Sequence, residues 1–194
     1  MTTATTARTA EIRAAALELF TRLGYEATTM ADIGAAVGVR GPSLYKHVAS
    51  KQDLLVQIMT GTMDALLDAH RAAVATTSDP VERLRRAVDA HVRYHARHRM
   101  EAFVGTREIR SLVEPHRTAV LARRADYEAG FRSLITDGVD AGRFTVASPR
   151  LASYAILDLG MGVAVWFRED GEHSENAVAW QYTEFALRLL GAAT

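Results

Sequence analysis

Apolar residues recur at steps of three and four positions along most of the chain, and this spacing constrains the fold more than any other sequence feature. The first such stretch carries Ile12, Ala16, Leu19, Phe20 and Leu23, which fall on one face of an α-helix. Only four prolines occur in 194 residues, and no strand-like alternation of apolar and polar residues is longer than chance. The sequence therefore predicts an all-α fold.

Turn and capping residues divide this pattern into successive helices. Glycines such as Gly24, Gly38 and Gly142 stand where helices should end. Hydroxyl side chains stand where helices should begin. The predicted helices cover about residues 9–23, 30–37, 42–47, 51 onward, 80–98, 100–112, 116–141, 149–167 and 174–191. We expect a three-helix head over residues 1–50 and a body of about six helices over residues 51–194.

Composition excludes several classes of protein. There is no cysteine, so disulfides and thiolate metal sites are excluded, which suits a reducing cytoplasm. The most apolar stretch, 151–167, is interrupted by Asp158 and predicts a buried helix rather than a membrane span. We expect a cytoplasmic protein without a membrane partner.

A formal net charge of zero conceals an uneven distribution. Residues 1–52 hold six basic and four acidic residues, and residues 81–124 hold eleven and five. Residues 53–80 hold one and four, and residues 125–194 hold five and ten. The net charge of zero is therefore the sum of two basic regions, 1–52 and 81–124, and two acidic regions, 53–80 and 125–194. This uneven distribution is compatible with a nucleic-acid partner.

Residues 29–51 have the spacing of a helix-turn-helix. Its first helix needs a small residue where the second helix approaches, and Gly34 supplies it. The turn needs a positive φ four positions later, where Gly38 stands. Four apolar residues are placed to hold both helices against the first helix of the chain: Ile33, Val37, Val39 and Leu44. The second helix would then present its N-terminal residues to a DNA major groove.

The polar residues of this stretch suit DNA contact. Ser43 and Lys46 are candidates for base edges, and Tyr45 and His47 for phosphate oxygens. Thr29 stands at a helix N-terminus, where a phosphate binds well. The full predicted DNA-binding set is Thr29, Arg40, Gly41, Pro42, Ser43, Tyr45, Lys46, His47 and Lys51. If Arg40, Lys46 and Lys51 each contact phosphate in two subunits, log affinity should fall against log salt with a slope of about −5.

Three motifs resemble the TetR family of bacterial regulators. They are Thr29-Met-Ala-Asp-Ile-Gly34, Gly38-Val-Arg-Gly-Pro-Ser-Leu-Tyr-Lys-His47, and Ser50-Lys51 followed by Leu54-Leu55. The resemblance covers residues 9–58 at motif level and the whole chain by length and helix layout. Pro42 departs from the glycine that the family often has there, and Arg40 and Gly41 stand where operator contacts vary among members.

The resemblance implies a transcriptional repressor that binds a palindromic double-stranded DNA operator as a homodimer and is released by a small-molecule inducer. It also implies a four-helix bundle made from the last two helices of each subunit. The sequence supports the bundle independently, since residues 151–167 are apolar nearly all round and Gly160 and Gly162 allow close backbone approach. The matching stripe on the last helix is Val178, Tyr182, Phe185, Ala186 and Leu189.

An inducer pocket between the middle helices is a further implication. Residues of suitable type stand on these helices, and the predicted pocket is Met59, Met63, Leu66, Tyr94, Phe103, Arg107, Tyr127, Phe131, Tyr154 and Met161. Such a stripe of methionines and aromatic residues is also typical of an ordinary core.

Three inducer classes stay open. The tail from Val165-Trp-Phe167 through Tyr182 to Leu190 is similar to that of regulators of lipid and steroid breakdown that sense acyl-CoA thioesters. A dense set of arginines could neutralise the phosphates of such a ligand: Arg93, Arg97, Arg99, Arg107 and Arg110. A hydrophobic drug or another metabolite, with control of efflux, is the second class. Metal sensing through His91, His95 and His98, with Glu101 nearby, is the third.

Catalysis is not expected. The chain has no Gly-x-Ser-x-Gly elbow and no phosphate-binding loop, and Gly160-Met-Gly162 is not a nucleotide loop because no predicted strand precedes it. We therefore predict no catalytic residue and no cofactor. The predicted site residues include no metal ligand, and metal sensing stays the remote alternative.

Overall fold

The computed structural model describes residues 2–192, with side chains from residue 7 onward. Across this range the chain is helical and contains no strand, so the all-α prediction is confirmed. The helices are α1 (Thr2–Leu23), α2 (Met30–Ala36), α3 (Gly41–Leu44), α4 (Lys51–Val74), α5 (Pro80–Arg97), α6 (Arg99–Arg107), α7 (His116–Asp140), α8 (Pro149–Trp166) and α9 (Glu175–Leu189). A short 3-10 helix, Ile109–Ser111, follows α6.

Most helices begin at the hydroxyl or carboxylate side chain that the sequence placed there. Ser50 accepts from the backbone N–H of Asp53 at 3.0 Å, and Ser174 accepts from that of Ala177 at 3.2 Å. Such caps satisfy amides that have no partner within the helix. Three boundaries differ clearly from prediction. Helix α1 begins at Thr2 rather than near Thr9, α3 ends at Leu44 rather than at His47, and α6 ends at Arg107 rather than near residue 112.

The chain forms two compact units that are discontinuous in sequence. The first unit consists of residues 1–62 and 100–121, and the second of residues 63–99 and 122–194. The segment 100–121 thus packs with the N-terminal helices rather than with its sequence neighbours. Its buried Val104, Leu112 and Val120 belong to the same core as Phe20 and Leu55.

The second unit is built around α5, which packs against α8 and α9. Its core joins side chains from these helices to residues of α7, among them Leu84, Val92, Phe131, Ile135, Ile156, Val163 and Leu190. Among the described residues, no helix combines the length and apolar character that crossing a membrane requires.

Helices α8 and α9 keep large apolar side chains on the surface of the chain. The exposed ones are Leu151, Tyr154, Leu159, Val165, Trp166, Trp180, Phe185 and Leu189. Part of the stripe predicted for a partner is used differently, since Val178 and Ala186 are buried in the second unit's own core. Gly160 also serves this core, because a Cβ there would lie 2.2 Å from Cδ2 of His91.

Candidate DNA-binding site and ligand-binding interior

The turn between α2 and α3 is fixed by backbone contacts. Gly38 has a φ of +67°, which glycine adopts without strain. The N–H of Val39 donates to the carbonyl of Gly34 at 2.8 Å. A Cβ on Gly34 would lie 2.6 Å from the Val39 carbonyl oxygen, so the close approach inferred from this small residue is present.

One buried side chain anchors α3 and leaves its neighbours facing outward. Leu44 is 1% exposed and packs in the first unit's core. Tyr45 is 56% exposed, and the other outward residues are Gly41, Pro42, Ser43 and Lys46. The helix ends at Leu44 rather than at His47, and residues 45–47 form a turn. His47 is half-buried, and its Nδ1 has no hydrogen-bond partner within the described part of the chain.

A surface groove of about 610 Å³ lies along the two helices. It is lined by residues of α2, the turn and α3: Met30, Ala31, Gly34, Ala35, Gly38, Val39, Arg40, Gly41, Leu44 and Tyr45. The groove therefore brings together Arg40, Gly41 and Tyr45 of the predicted DNA-binding set. Of these three, Arg40 and Tyr45 offer hydrogen-bonding side chains suited to phosphate contact.

Thr29 has its hydroxyl engaged within α2. The N–H of Asp32 donates to Thr29 Oγ1 at 3.1 Å, and that hydroxyl donates to Asp32 Oδ2 at 2.7 Å. The Thr29 N–H donates to the same carboxylate oxygen at 2.9 Å, which completes a capping box. The hydrogen bonds from Thr29 hold the pKa of the Asp32 carboxyl below its ordinary value. A phosphate at Thr29 would have to compete with these bonds.

Lys51 is likewise committed to the protein. Its Nζ donates to the carbonyls of Tyr25 at 2.8 Å, Glu26 at 3.3 Å and Thr28 at 2.9 Å. It also lies 4.3 Å from the centre of the Tyr25 ring. Three acceptors use the three donors of an ammonium group, so in this geometry Lys51 holds the 24–28 turn rather than offering a free charge.

The predicted pocket residues separate into different environments. Met63, Leu66, Tyr127 and Phe131 are buried together in the second unit's core, and Tyr94 packs against it half-buried. Met161 is half-buried in α8, whereas Tyr154 is exposed and accepts a hydrogen bond from Arg150. The other three belong to the first unit: Met59 in its core, exposed Phe103, and Arg107, whose guanidinium lies 5.5 Å from the Phe103 ring centre.

The second unit's core also contains three buried histidines. His91 Nε2 lies 3.0 Å from the Leu157 carbonyl oxygen, which can only accept, so this nitrogen carries the proton. His91 Nδ1 then accepts from the Tyr127 hydroxyl at 3.0 Å. Burial lowers the pKa of His91 to about 4, so the ring is neutral at pH 7.

His70 and His95 each keep a nitrogen without a partner. They are 8% and 5% exposed, and neither Nδ1 has a hydrogen-bond partner among the described residues. Burial, with the positive charges of Arg83 and Arg71, lowers the pKa of His70 to about 4. Burial, with the neighbouring His91 and His98, lowers the pKa of His95 to about 3.

These imidazoles are linked through aromatic rings. His91 and His95 have ring centroids 4.5 Å apart, and His70 lies 4.9 Å from Phe131. Sequence reasoning missed His70 because its neighbours across the core come from distant helices. It considered His91 and His95 only as candidate metal ligands and gave no sign that both are buried.

The arginines considered for phosphate binding are largely paired. Arg97 donates twice to Glu175, at 2.8 and 2.6 Å, and Arg93 donates to Asp89 and Glu175 at 2.8 and 2.9 Å. Arg99 Nε donates to the Ala164 carbonyl at 2.9 Å. These contacts engage three of the five arginines of the predicted phosphate-neutralising cluster, while Arg107 and Arg110 are exposed.

A metal centre at the histidines has no support in the side-chain arrangement. Between residues 7 and 192, no three or more His, Cys, Asp or Glu side chains are grouped so that they could hold an ion. Both ring nitrogens of His91 are already hydrogen-bonded, and His98 stacks on Tyr94 with centroids 4.4 Å apart.

Helix α3 is short, is anchored by buried Leu44 and follows a glycine turn, and its polar neighbours face outward. This arrangement defines a helix-turn-helix DNA-binding protein. Residues 12–58 match the family "Bacterial regulatory proteins, tetR family". Residues 77–190 match "Tetracyclin repressor-like, C-terminal domain". The chain belongs to the TetR family, whose members are DNA-binding transcriptional regulators rather than enzymes.

Individual relatives agree with this assignment. The HTH-type transcriptional repressor KstR2 of Mycobacterium tuberculosis is 26% identical over 182 residues, which cover 93% of this chain and 91% of the relative. A solved bacterial regulatory protein of the tetR family from Rhodococcus RHA1 is 34% identical. It covers 96% of this chain and 98% of its own, with a TM-score of 0.89.

A third similarity concerns the fold alone. The structure of AibR in complex with isovaleryl coenzyme A and operator DNA is 24% identical and has a TM-score of 0.84. The alignment covers 96% of this chain and 100% of the AibR chain.

Proposed function

We propose that this chain is a ligand-responsive transcriptional repressor that binds a palindromic operator as a homodimer. A small hydrophobic inducer in the interior of the second unit releases it. The observation that carries the proposal is α3, where buried Leu44 holds Ser43, Tyr45 and Lys46 outward beside the groove. In this proposal residues 1–50 are the DNA-binding domain and residues 51–194 the ligand-binding and dimerisation domain, and the protein acts in the cytoplasm.

Residues of α3 and the residues next to it would have different roles in DNA recognition. Ser43 and Lys46 would face base edges in the major groove, and Arg40 and Tyr45 would contact phosphates. The exposure of all four supports these roles. Thr29, His47 and Lys51 remain in the proposed site as residues that shape it, since their side chains are held partly or wholly by the protein.

The apolar surface of α8 and α9 supports the homodimer. Val165 is 76% exposed and Trp180 60% exposed, which is costly in water unless another surface covers them. A second copy offers the same surface, so a two-fold contact would bury both. Two subunits related in this way would present α3 to two half-sites of a palindrome.

The second unit's core suggests the chemistry of the inducer. Its apolar residues, including Met63, Leu66 and Phe131, suit a hydrophobic body, while the unpartnered nitrogens of His70 and His95 suit a hydrogen-bonding group. A buried polar atom without a partner costs about 1–3 kcal/mol, and a ligand that bonds to it would recover part of that cost. Neutral imidazoles favour an uncharged group, such as a thioester or ketone carbonyl with a donor beside it.

Acyl-CoA thioesters are the inducer class to test first. KstR2 is described as a ketosteroid transcriptional regulator, and AibR is bound to isovaleryl coenzyme A. The ion pairs of Arg93 and Arg97 with Glu175 weigh against a preformed phosphate site. A hydrophobic drug or metabolite without phosphates is therefore the second candidate.

The test begins with DNA. A duplex is selected from a random pool with the wild-type protein, and its affinity is measured with and without isovaleryl-coenzyme A, coenzyme A alone, and 4-androstenedione. Mass spectrometry of small molecules that co-purify with the protein identifies other ligands. The proposal predicts an inverted-repeat sequence bound by two subunits, with affinity lowered at least tenfold by a hydrophobic compound.

Variants distinguish the parts of this proposal. Lys46→Ala should weaken DNA binding without altering ligand binding, and His95→Phe should weaken the ligand effect without altering DNA affinity in the ligand-free protein. Replacement of exposed His173 by Gln is the control and should change neither. Failure to enrich any duplex would contradict DNA binding itself, and enrichment of a non-repeated site bound by one subunit would contradict the dimer.

A further inference from the structure

A buried carboxylate reaches the DNA-binding head from a distant part of the sequence. Glu108 follows α6 directly and is 4% exposed. Its Oε1 accepts a hydrogen bond from the backbone N–H of Tyr25 at 3.3 Å, across 83 positions of sequence. Its Oε2 accepts from Ser111 Oγ at 3.0 Å, which fixes the direction of the carboxylate.

The residue that Glu108 contacts lies in the turn between α1 and α2. Lys51 binds the carbonyls of this turn at Tyr25, Glu26 and Thr28. Buried Thr28 closes the turn by donating from Oγ1 to the Gly24 carbonyl at 2.9 Å. Glu108 thus binds an amide of this short turn, and Lys51 binds three of its carbonyls. Both the donors and the acceptors of the turn backbone are therefore held by side chains.

The turn leads directly into the DNA-binding helices. Thr29, the residue after it, caps α2, and α2 carries Gly34, against which the turn before α3 packs. A shift of the turn would therefore move the start of α2 and, through α2, the position of α3.

Glu108 also belongs to the segment 100–121, which is part of the first unit. The residues on either side of this segment, Arg99 and Ala122, belong to the second unit. Helix α5, with His91 and His95, precedes this segment. Helix α7, which carries Tyr127 and Phe131, begins within it. One covalent route from the proposed ligand interior to the head therefore passes through Glu108; the other is α4, which runs from Lys51 in the first unit to His70 in the second.

We infer that Glu108 is a positioning residue for operator binding. Its carboxylate fixes the α1–α2 turn to segment 100–121, so the position of this segment determines where α2 and α3 are placed. The inference rests on the proposed function as a DNA-binding regulator. It assigns to Glu108 no contact with DNA or inducer.

Two conservative variants separate the reach of the side chain from its charge. Glu108→Asp keeps the charge and removes one methylene, so the carboxylate can no longer reach the Tyr25 amide. Glu108→Gln removes the charge and keeps an acceptor at the same distance. The matched control is exposed Glu169, changed to Asp.

Operator affinity is measured on a duplex selected with the wild-type protein, and hydrogen exchange is followed by mass spectrometry over residues 20–30. We expect Glu108→Asp to weaken operator binding about tenfold and to speed exchange at the turn. We expect Glu108→Gln to stay within about threefold of wild type, and Glu169→Asp to be unchanged. Thermal melts of all variants establish that each is folded.

The outcomes are decisive in both directions. Equal affinity and equal exchange of wild type and Glu108→Asp would overturn the inference. Equal losses in the Asp and Gln variants would also overturn it, because Glu108→Gln keeps the reach on which the inference depends. Should Glu108→Asp fail to fold, exchange in Ser111→Ala, which frees one carboxylate oxygen, must rise at the turn for the inference to stand. A wild-type protein that enriches no duplex would defeat the proposed function rather than this inference, which its exchange data would still test.

Discussion

Around the 24–28 turn of the first unit, the two buried polar residues, Thr28 and Glu108, are both hydrogen-bonded to the backbone of the turn. Among the residues that the structure describes in the second unit, by contrast, two of the three buried imidazoles keep a nitrogen without a hydrogen-bond partner. Satisfied buried groups hold one geometry, whereas an unsatisfied group leaves a site that a new hydrogen-bond partner would stabilise. The difference indicates a 24–28 turn that is held in one geometry and an interior that a new hydrogen-bond partner can stabilise.

The largest expected effect tests whether the head is a rigid carrier of exposed residues. Leu44→Ala should destabilise the first unit by about 2–5 kcal/mol, since a fully buried side chain is removed. Tyr45→Ala should leave stability nearly unchanged and weaken operator binding about tenfold. Chemical denaturation and a gel shift measure the two quantities. A loss of stability in Tyr45→Ala as large as that in Leu44→Ala would mean that Tyr45 belongs to the core.

The response of the interior to acid should be the next largest effect. The folded-state pKa values of His70 and His91 are about 4 and that of His95 about 3, below the ordinary value of 6.5. The unfolded chain therefore binds more protons between these values, so stability is complete above pH 6.5 and falls as the pH drops toward 4. Linkage gives an upper bound of about 2 kcal/mol per histidine at pH 5.

Denaturation with urea at pH 7.5 and pH 5 measures this loss. His95→Phe should reduce the difference between the two pH values, whereas His173→Gln, at an exposed position, should not. Equal unfolding free energies of the wild type at both pH values would show that the imidazoles are solvated rather than buried.

A pair of glycines on α8 tests how tightly the interior encloses its imidazoles. A Cβ at Gly160 would meet the His91 ring at 2.2 Å, whereas a Cβ at Gly162 would have nothing within 4 Å in the same chain. Gly160→Ala should cost about 1–3 kcal/mol through overpacking. Gly162→Ala should be neutral or stabilising by up to about 1 kcal/mol. Thermal melts compare the two, and similar behaviour would mean that His91 can move aside freely.

The smallest effect concerns the charge that the head offers to DNA. If the charges of Arg40 and Lys46 in two subunits each neutralise one phosphate, whichever DNA atoms Lys46 contacts, log affinity against log salt should have a slope of about −3.6, and adding Lys51 would bring it to about −5.4. Lys51→Gln should therefore weaken operator binding while leaving the slope unchanged, because the ammonium holds the turn. A slope that flattens by about 2 in this variant would place Lys51 on phosphate.

Much of this protein follows from sequence alone. Periodicity, caps and glycine stops depend on neighbours within four residues, so the helices, the turn at Gly38 and the outward face of α3 could be predicted from the order of residues. The errors at local level are small, such as α3 ending at Leu44.

Tertiary structure decided which helices meet, and hence the roles of individual polar residues. Lys51 was predicted to contact phosphate but lies on carbonyls about 25 positions away. Glu108 accepts a hydrogen bond from Tyr25 across 83 positions of sequence. Gly160 makes room for the His91 ring of its own chain. Periodicity tells which face of a helix is apolar but not which residue of another helix lies opposite, because that depends on crossing points set by the packing of the whole core.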